Sequence, residues 1–191
     1  MVGTIGVLAL QGDFARHQEM LISLGCKVQS IRYPHELSDL AGLVIPGGES
    51  TTISKQLDIA GLREGIVEFA QTRPVLGTCA GLILMAKEHS DARVDSLELL
   101  DVVVTRNSWG RQIHSFTSPI EIHMNGHHDE FPAVFIRAPR IIRVGQNVEI
   151  LAEFQGEPAL VRQGRHIGAT FHPELTTDTR IHDLYIKTVQ A

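Results

Sequence analysis

Apolar residues recur along the first half of the chain in short blocks, separated by segments with helical spacing. Residues 4–10 form a near-continuous apolar run, which is typical of a strand covered on both faces in a parallel sheet. Further strand-like runs lie at residues 27–31 and 43–45 and begin again at Val75. Strand and helix signals alternate to about residue 87, and this alternation predicts an open, mostly parallel α/β sheet.

The second half of the chain has a different pattern. Short strand-like pieces separated by Gly, Pro and Asn predict antiparallel strands that add to the main sheet or flank it, at residues 102–104, 120–122, 134–136, 148–154, 159–162 and 166–171. Residues 178–190 place Ile181, Leu184 and Tyr185 on one face, which predicts a closing helix. With 191 residues and no internal repeat or linker, the chain is expected to form a single domain over residues 1–191.

Composition narrows the class of protein. The chain has 17 basic and 22 acidic residues, a net charge of −5 and no basic run, so nucleic acid is not an expected partner. No apolar stretch approaches the roughly 20 residues of a membrane span, and the N-terminus lacks the pattern of a secretory signal. Two cysteines, Cys26 and Cys79, do not make a disulfide framework, so a reducing, cytoplasmic setting is expected.

Cys79 lies in the segment with the most specific chemistry. The sequence Gly-Thr-Cys-Ala-Gly at residues 77–81 follows a predicted strand and precedes a helical segment, as in the Gly-x-Ser-x-Gly nucleophile elbow. Gly77 and Gly81 leave room where a Cβ would collide in so sharp a turn. The N-terminus of the following helix favours negative charge, and therefore the reactive thiolate. The alternative is a buried, inert cysteine, which is the role expected for Cys26.

A base for this thiol, and a group that orients the base, are offered by the Phe-His-Pro-Glu sequence after the last predicted strand. In an extended chain His172 and Glu174 project to the same side, and Pro173 stiffens the pair. A carboxylate on one imidazole nitrogen leaves the other nitrogen able to take and return the thiol proton. The alternative is a surface histidine beside a surface glutamate, in a chain with ten histidines. The separate cysteine elbow favours the catalytic interpretation.

The Pro-Gly-Gly-Glu-Ser-Thr loop at residues 46–51 is a candidate ligand loop. Its two glycines let backbone N–H groups turn toward a ligand, and one of them, with the N–H of Ala80, is a candidate oxyanion hole. The pattern of a phosphate loop is absent. The alternative is a plain turn in which Ser50 or Thr51 caps the next helix, and capping is compatible with ligand binding. Glu49 is the charged residue of the loop and a candidate partner for a substrate ammonium group.

Two arginines stand at predicted strand ends, Arg106 and Arg137. A guanidinium group suits a substrate carboxylate because it can bind both oxygens. The alternative for each is a solvated charge at the rim of the site.

A histidine-rich stretch contains His123, His127, His128 and Asp129. It offers no cysteine and lacks a helical His pair with a third ligand in view. We interpret it as a solvated loop between strands and expect no metal site, with a metal site as the less favoured alternative.

These segments together resemble a class I, triad-type glutamine amidotransferase and, more narrowly, the glutaminase subunits of pyridoxal 5′-phosphate synthase. The resemblance covers nearly the whole chain and rests on residues 7–14, 45–52, 77–82, 106–107, 110–112, 135–139 and 171–175. The cysteine elbow and His-Pro-Glu are common to many amidotransferases. The sequences Leu-Ala-Leu-Gln-Gly-Asp and Pro-Gly-Gly-Glu-Ser-Thr select the narrower family. The resemblance implies a three-layer, flavodoxin-like α/β fold.

The same resemblance implies hydrolysis of L-glutamine to glutamate and ammonia. Cys79 would be the nucleophile, His172 would carry the proton, and Glu174 would orient His172. The oxyanion would be held by Gly47 and Ala80. Contacts with glutamine would come from Gly47, Gly48, Glu49, Arg106, Ile136 and Arg137. No cofactor is implied.

A partner is implied as well. In this family the ammonia passes to a (β/α)8 synthase subunit, which joins it with a pentose phosphate and a triose phosphate to make pyridoxal phosphate. Such glutaminases are weak until docked, and the docking face surrounds the mouth of the active site. Trp109, His114 and Thr117 differ from the Phe, Asp and Glu expected there, which bears on the partner contacts and not on the triad.

Other functions stay open on the sequence alone. A cysteine peptidase shares the elbow, but the late His-Pro-Glu and the Pro-Gly-Gly-Glu loop argue against it. A non-catalytic, amidotransferase-like interaction subunit would need none of Cys79, His172 and Glu174. An amidotransferase subunit of another pathway is the remaining alternative.

Overall fold

The computed structural model describes residues 3–106, 115–124 and 127–191, and in these ranges the chain forms twelve strands. In chain order they are β1 (Ile5–Leu8), β2 (Val28–Ile31), β3 (Gly42–Ile45), β4 (Val75–Thr78), β5 (Ala86–His89), β6 (Leu100–Thr105), β7 (Ser115–Met124), β8 (His127–Ile136), β9 (Arg140–Val144), β10 (Glu149–Phe154), β11 (Glu157–Gln163) and β12 (His166–Ala169). Nine of them form one sheet, in the order β2-β1-β3-β4-β12-β11-β10-β7-β8.

Strand pairing in the main sheet changes from parallel to antiparallel at β12. The strands from β2 to β12 in that order are parallel to one another, and β11, β10, β7 and β8 continue the sheet as antiparallel strands. A second, three-stranded sheet has the order β5-β6-β9. The predicted mostly parallel α/β sheet with antiparallel additions is therefore confirmed.

Helices cover both faces of the main sheet. They are α1 (Phe14–Ser23), α2 (Ser50–Ile59), α3 (Arg63–Ala70), α4 (Ala80–Met85) and α5 (Arg180–Gln190), with short 3-10 helices at Pro34–Leu37 and Pro173–Leu175. Buried residues of α1 and α5 pack in one hydrophobic core, and those of α2, α3 and α4 pack in another. In the described parts of the chain, no helix has the length and apolar character needed to cross a membrane.

The strand β3 shows how the two cores are separated. All its residues are buried, with Leu43 and Ile45 in the core under α2 and α3, and Val44 in the core under α1 and α5. This arrangement explains the uninterrupted apolar run, because a strand covered on both faces needs apolar side chains at every position. The closing helix α5 adds Tyr185, whose hydroxyl donates a hydrogen bond to the Leu43 carbonyl oxygen at 2.9 Å.

Three local expectations were wrong or incomplete. β5 was not predicted, because its sequence Ala-Lys-Glu-His has no apolar run, and β9 was also missed. The residues His123, His128 and Asp129 lie in β7 and β8 rather than in a loop, as does the backbone of His127. The long antiparallel pairing of these two strands overrides their polar composition.

Candidate active site

Cys79 lies between the end of β4 and the start of α4. Its backbone has φ 49° and ψ −102°, in the left-handed half of conformational space that residues other than glycine rarely adopt. The backbone N–H of Cys79 donates to the Ala169 carbonyl oxygen of β12 at 2.9 Å, which anchors the turn to the sheet. Strain of this kind persists only where the surrounding structure enforces it, and it is typical of a nucleophile elbow.

The glycines on either side of Cys79 are required by close packing. A Cβ at Gly81 would collide with the carbonyl oxygen of Ile45 in β3, and a Cβ at Gly77 would collide with Met85 and the Gly81 backbone. The predicted strand–turn–helix geometry around Cys79 is therefore confirmed. The side chain at the apex of this turn is largely buried, with 6% of Cys79 exposed.

His172 and Glu174 pair directly behind the thiol. Nδ1 of His172 lies 2.7 Å from Oε1 of Glu174, and both side chains are buried. The pair forms through a 3-10 turn at Pro173–Leu175 and not through the extended chain that the sequence suggested. A hydrogen bond from the backbone N–H of His172 to the Val134 carbonyl oxygen, at 2.8 Å, fixes the turn to β8.

Electrostatics favour the charged form of both partners. Burial alone would lower the pKa of His172, but hydrogen bonds with Cys79 and Glu174 raise it to about 10. Burial alone would raise the pKa of Glu174, but its contacts with His17 and His172 hold that pKa below its usual range. The ring of His172 is therefore able to take up the thiol proton while Glu174 stays ionised.

A cavity of about 180 Å³ opens in front of Cys79. Eight of the residues named from the sequence line it: Gly48, Glu49, Cys79, Ala80, Arg106, Ile136, Arg137 and His172. Gly47 adjoins the cavity, because a Cβ on it would collide with Cε1 of His172 and lie 3.3 Å from Cβ of Cys79. The sequence did not indicate a lining role for Gln11, Asp13, Ser50 and Ile83, since nothing in their local pattern shows which loop they face.

Glu49 has contacts that the sequence did not predict. It is the N-cap of α2, where its carboxylate accepts from the backbone N–H of Thr52 at 2.8 Å and from the hydroxyl groups of Thr51 and Thr52. The alternative in which Ser50 or Thr51 caps this helix is therefore wrong. Burial alone would raise the pKa of Glu49, but these hydrogen bonds and one from Arg106 lower it to about 2. Its contact with a substrate ammonium group stays a prediction.

Arg106 joins two acidic side chains at the cavity wall. Its guanidinium group donates to Glu49, and its Nη1 atom lies 2.5 Å from Oδ2 of Asp91. Hydrogen bonds from Arg93 and Arg106 hold the pKa of Asp91 well below its usual range. Arg106 thus lines the cavity and also forms ion pairs with Glu49 and Asp91.

The end of β8 brings Ile136 and Arg137 to the same cavity. The carbonyl oxygen of Ile136 lies 3.8 Å from Sγ of Cys79, within reach of a weak S–H hydrogen bond. Arg137 follows with φ 44°, again in the left-handed region. The chain therefore turns sharply as it passes the thiol.

The histidine-rich hairpin lies apart from this cavity. His123 and His128 face each other across β7 and β8, and Nδ1 of His128 lies 2.9 Å from Oε1 of Glu121. Candidate ligand atoms of Glu121, His123 and His128 lie within 4.8 Å of one another on an exposed face. The expectation that no metal binds here stays a prediction.

Several residues of the predicted docking face fall outside the described residues, namely 107–114, which include Trp109 and His114. Thr117 lies in β7, opposite Val134 of β8.

Comparisons with known proteins agree on one family. The model of the SNO glutamine amidotransferase family matches residues 7–191. Pyridoxal 5′-phosphate synthase subunit PdxT of Koribacter versatilis (strain Ellin345) is 50% identical over 186 residues, covering 97% of this chain and 95% of that protein. The subunit of the same name from Thermosipho africanus (strain TCF52B) is 46% identical over 187 residues, covering 97% and 98%. A crystal structure of a glutamine amidotransferase matches with a TM-score of 0.92 and 40% identity, over 98% of this chain and 99% of that chain.

Proposed function

The chain belongs to the SNO glutamine amidotransferase family, and we propose that Cys79, His172 and Glu174 carry out its reaction. The protein is a glutaminase: it hydrolyses L-glutamine to L-glutamate and ammonia, and it supplies the ammonia to the synthase subunit of pyridoxal 5′-phosphate synthase. The roles proposed for the three residues rest on one observation. Cys79, at a strained turn, and His172 line the same cavity, and Nδ1 of His172 lies 2.7 Å from Oε1 of Glu174.

The first half of the reaction forms a thioester. The thiol proton of Cys79 passes to Nε2 of His172, the sulfur attacks the side-chain amide carbon of glutamine, and the carbonyl electrons move to the oxygen. The imidazolium of His172 donates its proton to the amide nitrogen, the C–N bond breaks, and ammonia leaves. Glu174 stabilises the imidazolium before this transfer and holds the ring in the required orientation, because it accepts from Nδ1.

The second half restores the thiol. His172, now neutral, takes a proton from water as the water oxygen attacks the thioester carbon. The C–S bond then breaks, the sulfur recovers the proton from His172, and glutamate leaves. We propose that the backbone N–H groups of Gly47 and Ala80 stabilise the oxyanion in both halves.

The cavity wall would hold the amino-acid end of glutamine. Arg137 and Arg106 offer cationic groups for the α-carboxylate, and Glu49 offers a carboxylate for the α-ammonium group. The backbone of Gly48 and Ile136 completes the wall. Because Arg106 and Glu49 already contact each other, substrate binding would redistribute an existing ion pair rather than bury an isolated charge.

We further propose that residues 1–191 act as one glutaminase domain in a reducing, cytoplasmic compartment. Both cysteines are free and buried, and burial raises the pKa of Cys26, which keeps that thiol protonated. A reducing setting preserves the nucleophilic thiol of Cys79.

The test is ammonia release from L-glutamine, measured while the (β/α)8 synthase subunit is titrated. Wild-type activity should rise with the synthase subunit, Cys79→Ala should lower it more than about a thousandfold, and Cys26→Ala should leave it largely intact. Normal turnover by Cys79→Ala would show that the nucleophile is wrong. A rate that does not respond to the synthase subunit would favour another pathway, and no ammonia release by any form would favour a non-catalytic subunit.

A further inference from the structure

A buried polar cluster adjoins the catalytic pair of His172 and Glu174. It consists of His17 in α1, Thr78 at the end of β4, His182 in α5 and the carboxylate of Glu174. His17, Thr78 and His182 have no exposed surface, and Glu174 is 4% exposed. Such groups are costly to bury, so their mutual contacts require an explanation.

The contacts converge on the ring of His17. Its Nε2 atom lies 3.1 Å from Oγ1 of Thr78 and 3.3 Å from Oε2 of Glu174, while its Nδ1 atom lies 2.9 Å from Nε2 of His182. The other oxygen of Glu174, Oε1, is the one that contacts His172. Among the described residues Oε2 has no conventional hydrogen bond, and Nε2 of His17 approaches it at 3.3 Å.

The chemistry of the cluster assigns the protons. An ionised carboxylate can only accept, so the hydrogen of His17 belongs on Nε2. Burial lowers the pKa of His17 and lowers that of His182 to about 3, so both rings are neutral. Nδ1 of His17 therefore accepts from the Nε2–H of His182. Nδ1 of His182 then carries no hydrogen, in agreement with its lack of a partner among the described residues.

We propose that His17 is a positioning residue for the glutaminase reaction, whose Nε2–H holds the second oxygen of Glu174 and so keeps His172 aligned with Cys79. This inference rests on the proposed function. Removal of the N–H leaves a buried carboxylate oxygen without its nearest donor, which costs more than the loss of a solvated contact. Thr78 adjoins Cys79 in sequence. The same N–H of His17 therefore also connects the turn at Cys79 with the turn that carries Glu174.

Three variants of His17 separate positioning from packing. His17→Gln places an N–H near the position of Nε2, whereas His17→Leu removes it. His17→Asn is a polar control whose amide lies nearer the position of Nδ1, facing His182. We expect His17→Leu and His17→Asn to lower kcat about 10- to 100-fold, with KM for glutamine changed less than about threefold, and His17→Gln to recover most of kcat.

A second readout does not depend on glutamine turnover. The rate of Cys79 alkylation by iodoacetamide, measured against pH in the complex with the synthase subunit, reports the thiol and its His172–Glu174 partners. The groups that face His17 are Glu174, His172, Asp13 and His182. Because an N–H directed at a carboxylate favours its ionised form, loss of His17 should move the acid limb of this profile to higher pH, and His17→Gln should move it back.

The outcomes are distinct. Wild-type kcat and an unmoved acid limb in all three variants would overturn the proposal. Equal losses of kcat in all three variants, with the acid limb of the alkylation profile unchanged, would show that His17 only packs. That result would also overturn the proposal. If His17→Leu does not fold, the comparison of His17→Asn with His17→Gln decides alone. Failure of the proposed function would appear instead as no ammonia release by the wild-type complex, and the alkylation profiles would still test His17.

Discussion

The ring of His172 lies directly against Gly47, at a place where any Cβ on residue 47 would collide with Cε1 of the ring. The same Cβ would lie 3.0 Å from Nδ1 of His172 and 3.3 Å from Cβ of Cys79. Gly47 comes from the loop after β3, whereas His172 follows β12 and Cys79 follows β4. Three strand ends of the sheet therefore meet at a point with no space for one additional methyl group.

Gly47→Ala tests this contact between residue 47 and the ring of His172. The new methyl group should displace the imidazole, because the backbone at both ends of the contact is held by the sheet, and kcat should fall by about 100-fold or more. Overpacking should cost about 1–3 kcal/mol in the free energy of unfolding. Ammonia release and chemical denaturation measure the two effects.

Gly65→Ala is the matched control for that substitution. Gly65 lies in α3, and its Cβ would contact only the end of the Leu37 side chain, at 3.1 Å. Activity should be unchanged, because α3 supplies no residue to the cavity. Wild-type kcat in Gly47→Ala would contradict the close approach of Gly47 to His172.

The two arginines of the cavity wall should respond differently to removal of charge. Arg137→Gln should raise KM for glutamine about 10- to 100-fold, because a charge-assisted contact with the substrate carboxylate is lost, while Tm changes little. Arg106→Gln should raise KM and also lower Tm by roughly 2–8 °C, because Glu49 and Asp91 lose a shared cation.

Steady-state kinetics and thermal melts of the same preparations test this pair. A KM that stays at the wild-type value in both variants would remove the arginines from the glutamine site. A Tm that stays unchanged in Arg106→Gln would show that its two ion pairs contribute nothing to stability.

Glu49 should make stability depend on pH in the acid range. Its pKa falls from 4.5 to about 2 in the folded protein, so the stabilisation is present above pH 4.5 and is lost as pH falls toward 2. Glu49→Gln removes the charged cap of α2 and should cost about 1 kcal/mol at pH 7. The difference from wild type should shrink steadily between pH 4.5 and pH 2.

Urea unfolding over that pH range measures the effect. Glu19→Gln is the control, because Glu19 makes an exposed ion pair with Arg16 that contributes little. A wild-type advantage over Glu49→Gln that is constant from pH 7 to pH 2 would contradict the assigned hydrogen bonds of Glu49.

Much of the fold could be predicted because its signals are local. The strand β3 is apolar at every position, since it is covered on both faces, and α5 has a single apolar face, since it is covered on one. The hairpin of β7 and β8 could not be predicted in full. Its stability depends on pairing between strands, and the polar residues at its tip carry no local strand signal.

The parts of the site that depend on neighbouring residues could be read from the chain alone: a cysteine between two glycines, a histidine two positions before a glutamate, and a glycine pair after a buried strand. The distant groups that complete these parts became evident only in the folded protein. The capping of α2 by Glu49, its ion pair with Arg106 and the approach of His17 to Glu174 join residues from separate elements. Charge pairing and burial depend on distances in space, and the order of residues along the chain specifies those distances only through the folded sheet.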